Sequence, residues 1–243
     1  MAENNTITLT IFLNTVVGLP SFKTFCAYMF LVLMSPLWQA MTKPVFVRPV
    51  LVVYNFICCF VSICTFLGFV YFGFIKSPSI YDMKPAEGLG KVYYLYYFTK
   101  NLELMDTVFM VLRHKQRQIS FLHVFHHSSM VMLSNFAAAY TPWPAIAFYL
   151  SMNSFVHICL YIYYGMAAMC PDDPPQWKKQ VTQLQIAQFL IGSCFGVYGY
   201  LNHSFCIYSI LYALIMTVLF SNFYYHSYVG RPVDLGRKKS KAE

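Results

Sequence analysis

Three histidines lie on one face of a predicted membrane helix in the stretch FLHVFHHSSMVML, residues 121–133. His123, His126 and His127 stand at positions i, i+3 and i+4, so a helix carries their rings on the same side. The surrounding residues are almost entirely apolar, and ionisable groups in a membrane usually face a protein interior. Imidazole can act as a base, a nucleophile or a metal ligand near neutral pH. The stretch therefore predicts a chemical site inside a helix bundle.

Three further segments place polar side chains at steps of three or four residues, the spacing of one helix face. They are Lys100, Glu103 and Asp106; Asn153, His157, Tyr161 and Tyr164; and Thr182, Gln185 and Gln188. With the histidines, they predict a polar cavity bounded by four helices whose outer faces meet lipid. These side chains could instead have structural roles. Lys100 and Glu103 would then form an ion pair that links helices, and the glutamines would hydrogen-bond across a helix interface.

Two chemistries fit such a cluster. A di-iron oxygenase is hard to build, because the chain has seven histidines and His114, His203 and His226 fall outside the predicted cavity. A single zinc ion fits the residue counts better, with Glu103 or Asp106 as a further ligand or base. In the other chemistry, histidine itself is the nucleophile or the acid–base group. A seven-span receptor or transporter is a third class, which would bind a ligand without turnover.

The elements that position these side chains are predicted to be membrane helices. The chain has 243 residues, of which 58% are hydrophobic and 11% charged, outside the range of a soluble domain. About 20 apolar residues cross a bilayer as a helix. Turn residues at 140–144 and 199–203 divide the longest apolar runs, and seven helices result. We therefore predict an all-α integral membrane protein with seven transmembrane helices.

The positions of lysine and arginine predict the orientation, because positive residues stay on the cytoplasmic side. They fall on alternate connections, at Lys43 and Arg48, at Arg113, Lys115 and Arg117, at Lys178 and Lys179, and from Arg231 to Lys241. We expect the C-terminus in the cytosol and the N-terminus outside or in a lumen. The net charge of +8 is explained by this topology and by attraction to anionic head groups or an anionic substrate. The sequence contains no nucleic-acid motif.

The motifs KNLELMDT, HVFHH, NSFVHICLYIYYG and TQLQIAQF, in this order and spacing, resemble those of the ELO family of fatty acid elongases. The match continues into PVFVRPVLVVYNF and FSNFYYHSY and covers nearly the whole chain from about Phe22. Family members are membrane-bound 3-ketoacyl-CoA synthases of the endoplasmic reticulum. The resemblance implies seven transmembrane helices, six of which form an inverted barrel around a tunnel that is open to the cytosol.

The resemblance also implies the reaction. A long-chain acyl-CoA condenses with malonyl-CoA to give a 3-ketoacyl-CoA, CO2 and CoA, without a metal or redox cofactor. His126 would attack the acyl thioester to form an acyl-imidazole, and His157 would transfer the proton. The kinetics would then be ping-pong. Candidates for stabilising the enolate of the second step are Asn153, Gln185, Tyr161 and His127.

The remaining polar residues take supporting roles in this interpretation. Lys100, Glu103 and Asp106 would hold or polarise the site, and His123 joins His126 and His127 among the candidate catalytic residues. Tyr164, Thr182 and Gln188 join Tyr161 as candidate substrate-binding residues. The CoA phosphates would be bound at the cytosolic mouth by five basic residues, Arg113, Lys115, Arg117, Lys178 and Lys179. The alternative explanation is that these residues only reflect the excess of positive charge on the cytoplasmic side of membrane proteins.

The predicted organisation has three parts. Residues 1–20 form a lumenal or interfacial segment, 21–229 the transmembrane domain, and 230–243 a basic cytosolic tail in which Lys239 and Lys241 resemble a dilysine retrieval signal. The implied partners are membrane lipid and the reductases and dehydratase of the elongation cycle, and a homodimer is one option for assembly. The stretch RQISFLHVFHHSS also resembles elongases that act on polyunsaturated acyl chains.

Overall fold

The computed structural model describes residues 14–230, and this part of the chain is helical without a β-strand. The α-helices are α1 (Pro20–Met41), α2 (Arg48–Gly68), α3 (Leu89–Glu103), α4 (Met105–Leu112), α5 (Phe121–Tyr140), α6 (Pro144–Met169), α7 (Lys178–His203) and α8 (Ile207–Tyr224). Helix α2 continues as a π-helix over Phe69–Ile75, and α8 continues in the same way over Tyr225–Val229. The predicted retrieval signal and most of the predicted N-terminal segment lie outside the described residues.

Within residues 14–230, five helical segments are long and apolar enough to cross a membrane. They are Pro20–Met41, Arg48–Ile75, Pro144–Met169, Lys178–His203 and Ile207–Val229. Large apolar side chains on them are exposed, as expected where lipid replaces water. The predicted class, an all-α multi-pass membrane protein, is confirmed.

The other two predicted spans are helical but differ from these five. One is divided at Leu104 into α3 and α4, which have 15 and 8 residues. The other is α5, whose 20 residues include the three histidines and are less apolar than the five segments. The polar residues that mark the candidate site are thus the ones that lower the mean hydropathy of their own helices. The count of seven spans stays a prediction.

The chain divides into two compact units, which meet in the sequence between Trp177 and Lys178. In the first unit, α2 packs along α6, α3 packs against both α2 and α5, and α1 packs against α5 and α4. In the second unit, α7 packs along α8. Helices α3 to α6, which carry most of the predicted site residues, all belong to the first unit.

Local sequence signals explain where these helices begin and end. A proline stands in the first turn of α1, α2 and α6, where its missing N–H would have no partner. Helix α5 begins after Ser120, whose hydroxyl accepts the backbone N–H of His123 at 3.3 Å. At the end of α6, the Arg48 guanidinium donates to the carbonyls of Ala168 and Met169 at 2.8 and 2.7 Å. The start of α5 and both ends of α6, the helices that carry the histidines, are fixed by these contacts.

Candidate active site

A buried ion pair on α3 faces a histidine on α6. Lys100 Nζ donates to both oxygens of Glu103, at 2.8 and 3.0 Å, and both side chains are at most 2% exposed. His157 Nδ1 lies 3.0 Å from Glu103 Oε1, although the N–H direction is not aligned on this oxygen. One carboxylate therefore stands against both a lysine and an imidazole. A buried charge is tolerated when it is paired in this way.

The histidine box of α5 lies beside this group. The ring centroids of His126 and His157 are 6.2 Å apart, and both residues are buried. His127 packs edge-on against His126 at 5.5 Å, and His123 lies 4.3 Å from His127. The predicted common face of the three box histidines is thus observed, and it faces the predicted histidine of α6. The structure brings together in one cluster side chains that are far apart in the sequence.

A second carboxylate, Asp106 on α4, has a different partner. The Tyr161 hydroxyl donates to Asp106 Oδ2 at 2.8 Å, and Tyr161 is fully buried. Tyr161 also packs on Tyr54 of α2, which belongs to an apolar cluster with Cys58 and Phe109. The Tyr161 proton is therefore already committed to a carboxylate. Tyr164, one turn later, is 38% exposed at the edge of this face.

Asn153 on α6 is held by a tyrosine that sequence reasoning did not single out. The Tyr96 hydroxyl donates to Asn153 Oδ1 at 2.7 Å, and both side chains are buried. The Tyr96 ring also lies 4.7 Å from Lys100 Nζ. Since the carbonyl oxygen of the amide is engaged by Tyr96, the donor end of Asn153 is directed elsewhere. The position of Tyr96 one turn before Lys100 on α3 was the available signal.

Two other side chains complete the surroundings of the box without having been predicted. Thr107 Oγ1 lies 2.8 Å from His123 Nε2, and the Tyr28 hydroxyl lies 3.0 Å from the same oxygen. Thr107 follows Asp106 directly, whereas Tyr28 comes from α1. No spacing in the sequence connects Tyr28 to the histidines.

The remaining predicted site residues lie apart from this cluster or in the second unit. Arg113, Lys115 and Arg117 are exposed in and beside the connection between α4 and α5, and Lys178 and Lys179 are exposed at the start of α7. In the second unit Thr182 and Gln188 are buried and Gln185 is partly buried. The Thr182 hydroxyl lies 3.5 Å from the hydroxyl of Tyr228. The role of these residues at the histidine cluster stays a prediction.

A metal site would need several donor side chains grouped around one point. Within residues 14–230, no group of three or more histidine, cysteine, aspartate or glutamate side chains is arranged to hold one. Lys100 pairs with both oxygens of Glu103, and Thr107 is bonded to His123 Nε2. These contacts occupy groups that the zinc interpretation would use as ligands.

Comparison with known proteins gives a consistent result. Residues 14–237 match the profile of the ELO family, described as the GNS1/SUR4 family. The chain is 35% identical over 219 residues to human very long chain fatty acid elongase 1, covering 83% of this chain and 78% of the relative. It is 32% identical over 223 residues to elongase 5 of Tachysurus fulvidraco, covering 86% and 76%. With rat elongase 7 the identity is 32% over 235 residues, covering 87% and 83%.

Proposed function

The chain belongs to the ELO (GNS1/SUR4) family, and from this membership and the site geometry we propose that it is a condensing enzyme of fatty acid elongation, a membrane 3-ketoacyl-CoA synthase. Its substrates would be a long-chain acyl-CoA and malonyl-CoA, and its products a 3-ketoacyl-CoA, CO2 and CoA. The names of its relatives support fatty acid elongation in general.

The observation that carries the proposal is the pairing of two buried histidines on different helices. His126 and His157 lie 6.2 Å apart between ring centroids, and Glu103 Oε1 lies 3.0 Å from His157 Nδ1. One imidazole can bond covalently to a substrate while the other exchanges a proton with it. The carboxylate beside His157 favours protonation of that ring and orients it.

In the first half-reaction, a ring nitrogen of His126 attacks the thioester carbonyl of the acyl-CoA. The C–S bond breaks, and the acyl group stays on the imidazole. The proton that leaves His126 passes through His157 to the departing thiolate, so free CoA is released. Burial of both rings excludes the water that would hydrolyse the acyl-imidazole.

In the second half-reaction, malonyl-CoA replaces CoA and loses its terminal carboxylate as CO2. The resulting enolate carbon attacks the acyl carbonyl, and the C–N bond to His126 breaks. As it leaves, His126 takes a proton from His157, which is reprotonated from solvent, so the neutral imidazole is restored. Asn153 is our first candidate to donate to the enolate oxygen, because Tyr96 holds its carbonyl end. His127 and Gln185 are further candidates. Tyr161 is less suited, since its proton is given to Asp106.

The supporting roles follow from charge and position. Lys100 neutralises Glu103, and Asp106 anchors Tyr161 of α6 to α4. The exposed basic residues that precede α5, and those at the start of α7, would bind the CoA phosphates. Tyr164, Thr182 and Gln188 would line the path of the acyl chain. We give no metal or redox cofactor a role in this mechanism.

The proposed setting follows from the family and the charge pattern. Seven helices would span the endoplasmic reticulum membrane, with six forming a barrel around a tunnel open to the cytosol. The N-terminus would be lumenal, and the basic tail from residue 230 would be cytosolic with its dilysine signal. The reductases and dehydratase of the elongation cycle are the expected partners, a homodimer is one possible assembly, and polyunsaturated acyl chains are candidate substrates.

The decisive experiment separates the two half-reactions. Purified protein is incubated with a radiolabelled long-chain acyl-CoA without malonyl-CoA, and free CoA and label on the protein are measured. We expect one equivalent of each per active site, removal of the label by malonyl-CoA, and loss of labelling in His126→Ala. Glu87→Gln, at an exposed position outside the cluster, serves as a control for handling.

The metal enzyme is the alternative that the same preparation tests. Metal analysis and activity in the presence of a chelator are measured beside the labelling. Absence of label together with stoichiometric metal and activity lost to the chelator would overturn the acyl-imidazole mechanism. Labelling that persists in the chelator would exclude the metal alternative.

A further inference from the structure

A hydrogen-bonded chain from α1 reaches the first histidine of the box. The Tyr28 hydroxyl lies 3.0 Å from Thr107 Oγ1, which lies 2.8 Å from His123 Nε2. Tyr28 is 5% exposed and Thr107 is fully buried. Three helices, α1, α4 and α5, are therefore linked through three side chains at the edge of the catalytic cluster.

The donor in each of these two hydrogen bonds follows from how many partners each hydroxyl group has. Among residues 14–230, Thr107 is the hydrogen-bond partner of the Tyr28 hydroxyl. A buried hydroxyl that has one acceptor within reach gives its proton to it, because an unmade buried hydrogen bond is costly. Thr107 then keeps its own proton for the next acceptor, which is His123 Nε2. The proton of the neutral His123 ring consequently lies on Nδ1.

This tautomer gives His123 a different role from His126. Its Nε2 lone pair is occupied by Thr107, so that nitrogen is not available to attack a thioester. Its ring lies 4.3 Å from His127, which packs edge-on against His126 at 5.5 Å. A fixed His123 ring therefore limits where the next two rings can lie.

We propose that Tyr28 and Thr107 are positioning residues that hold His123 as the Nδ1–H tautomer, so that His123 braces His127 and His126 and α1 becomes part of the active site. The inference rests on the proposed function, in which His126 carries the acyl group. It assigns a role to Tyr28, which lies in none of the quoted motifs, and to Thr107, the last residue of KNLELMDT. It also gives α1 a role beyond spanning the membrane.

The first test changes Thr107 and measures the steady-state rate of 3-ketoacyl-CoA formation. Thr107→Val keeps the shape but removes the hydroxyl, and we expect kcat to fall about tenfold with KM nearly unchanged. Thr107→Ser should restore most of the rate. The matched control is Thr65→Val, since Thr65 is also fully buried and bonds the hydroxyl of Ser154 on another helix at 3.0 Å. Equal rates for Thr107→Val and Thr65→Val would overturn the inference.

The second test asks which nitrogen of His123 matters. A glutamine amide reaches roughly the position of Nε2, and an asparagine amide roughly that of Nδ1. We expect His123→Gln to keep about tenfold more activity than His123→Asn, because only the longer amide can accept from Thr107. Equal activities, or the reverse order, would contradict the proposed tautomer. This comparison remains decisive if Thr107→Val does not fold.

A spectroscopic test reports the proton directly. In protein labelled with ¹⁵N-histidine, the His123 signals, identified by their loss in His123→Gln, should show a protonated Nδ1 and an accepting Nε2. Tyr28→Phe removes the donor to Thr107 and should move this signal toward the other tautomer. Tyr93→Phe is the control, because it removes a tyrosine hydroxyl that bonds the Trp143 carbonyl at 2.7 Å. A protonated Nε2 on His123 in the unmodified protein would contradict the inference.

The two proposals can fail separately. If the unmodified protein forms no 3-ketoacyl-CoA, the proposed function fails. If it forms product and Thr107→Val does so at the rate of Thr65→Val, the positioning role alone fails. Thermal unfolding of each purified variant shows whether a loss of rate reflects a loss of folded protein.

Discussion

The Glu103 carboxylate connects two partners of the site, a lysine and an imidazole. It accepts from Lys100 on its own helix and stands 3.0 Å from His157 on α6. Spacing in the sequence indicated the Lys100 pair, since the two residues are three positions apart. The contact with His157 joins residues 54 positions apart and depends on how α3 and α6 lie in the fold. Glu103 is therefore both the local ion-pair partner of Lys100 and the neighbour of His157, the proposed acid–base group.

At this scale we predict that Glu103→Gln loses activity and stability together. It leaves Lys100 buried without a counter-charge and removes the negative charge beside His157. We expect turnover to fall about a hundredfold and the free energy of unfolding to fall by about 3 kcal/mol. Elongation assays and denaturant unfolding of the purified protein measure these changes. The double variant Lys100→Met/Glu103→Gln should regain stability but not activity, and regained activity would show that the pair is only structural.

Tyr96 yields a second prediction at the residue scale. Tyr96→Phe removes the hydroxyl that holds Asn153 Oδ1, so the amide loses its orientation. We expect the reaction of the acyl-enzyme with malonyl-CoA to slow about tenfold while acyl-enzyme formation is unchanged. Single-turnover experiments that start from the labelled acyl-enzyme measure the difference. Tyr93→Phe, which changes a tyrosine three positions earlier on the same helix, is the control. An equal slowing in both variants would contradict the role given to Asn153.

Helices α3 and α5 show how the site affects the elements that carry it. The charged residues and a break at Leu104 divide one predicted span, and the histidines reduce the apolar character of the other. Both are nevertheless helical, because the polar side chains find partners on neighbouring helices rather than lipid. The beginning of α3 is set by Gly88, which has φ +78° and stands against the ring of Phe72.

Two glycines at the start of α3 provide a prediction at the element scale. In Gly88→Ala an alanine must adopt the left-handed backbone conformation, and its Cβ meets the ring of Phe72. We therefore expect the free energy of unfolding to fall by about 2 kcal/mol. Gly90→Ala has open space around its Cβ and lies within the helix. It should leave stability unchanged or raise it by up to about 1 kcal/mol. Thermal unfolding in detergent compares the two. If Gly90→Ala destabilises the protein as much as Gly88→Ala, α3 does not begin as the structure shows.

At the scale of the whole molecule, the membrane class is established and the orientation is proposed. The five long apolar segments require a lipid environment for their exposed side chains. Lysine and arginine on alternate connections indicate which side is cytosolic. The exposed basic residues near α5 then lie on the side from which CoA thioesters would arrive.

The orientation is tested with a C-terminal epitope tag in sealed microsomes. We expect an added protease to remove the tag without detergent, because the basic tail should be cytosolic. A lumenal marker protein in the same microsomes is the control and should be cut only after detergent is added. A tag that is protected until detergent is added would place the tail in the lumen and reverse the orientation of every span.

Composition, charge and helical spacing are local properties, so the membrane class, the family and the polar face of each helix could be predicted from the sequence. It placed the three box histidines on one face of α5 and predicted that His157 faces the same interior. Which polar groups meet follows from the packing of the helices, which brings together Glu103 with His157, Tyr161 with Asp106, and Tyr96 with Asn153. It alone brought Tyr28 of α1 to Thr107 and His123. Such contacts depend on the rotation and height of one packed helix relative to another, and periodicity within a single helix carries no information on either.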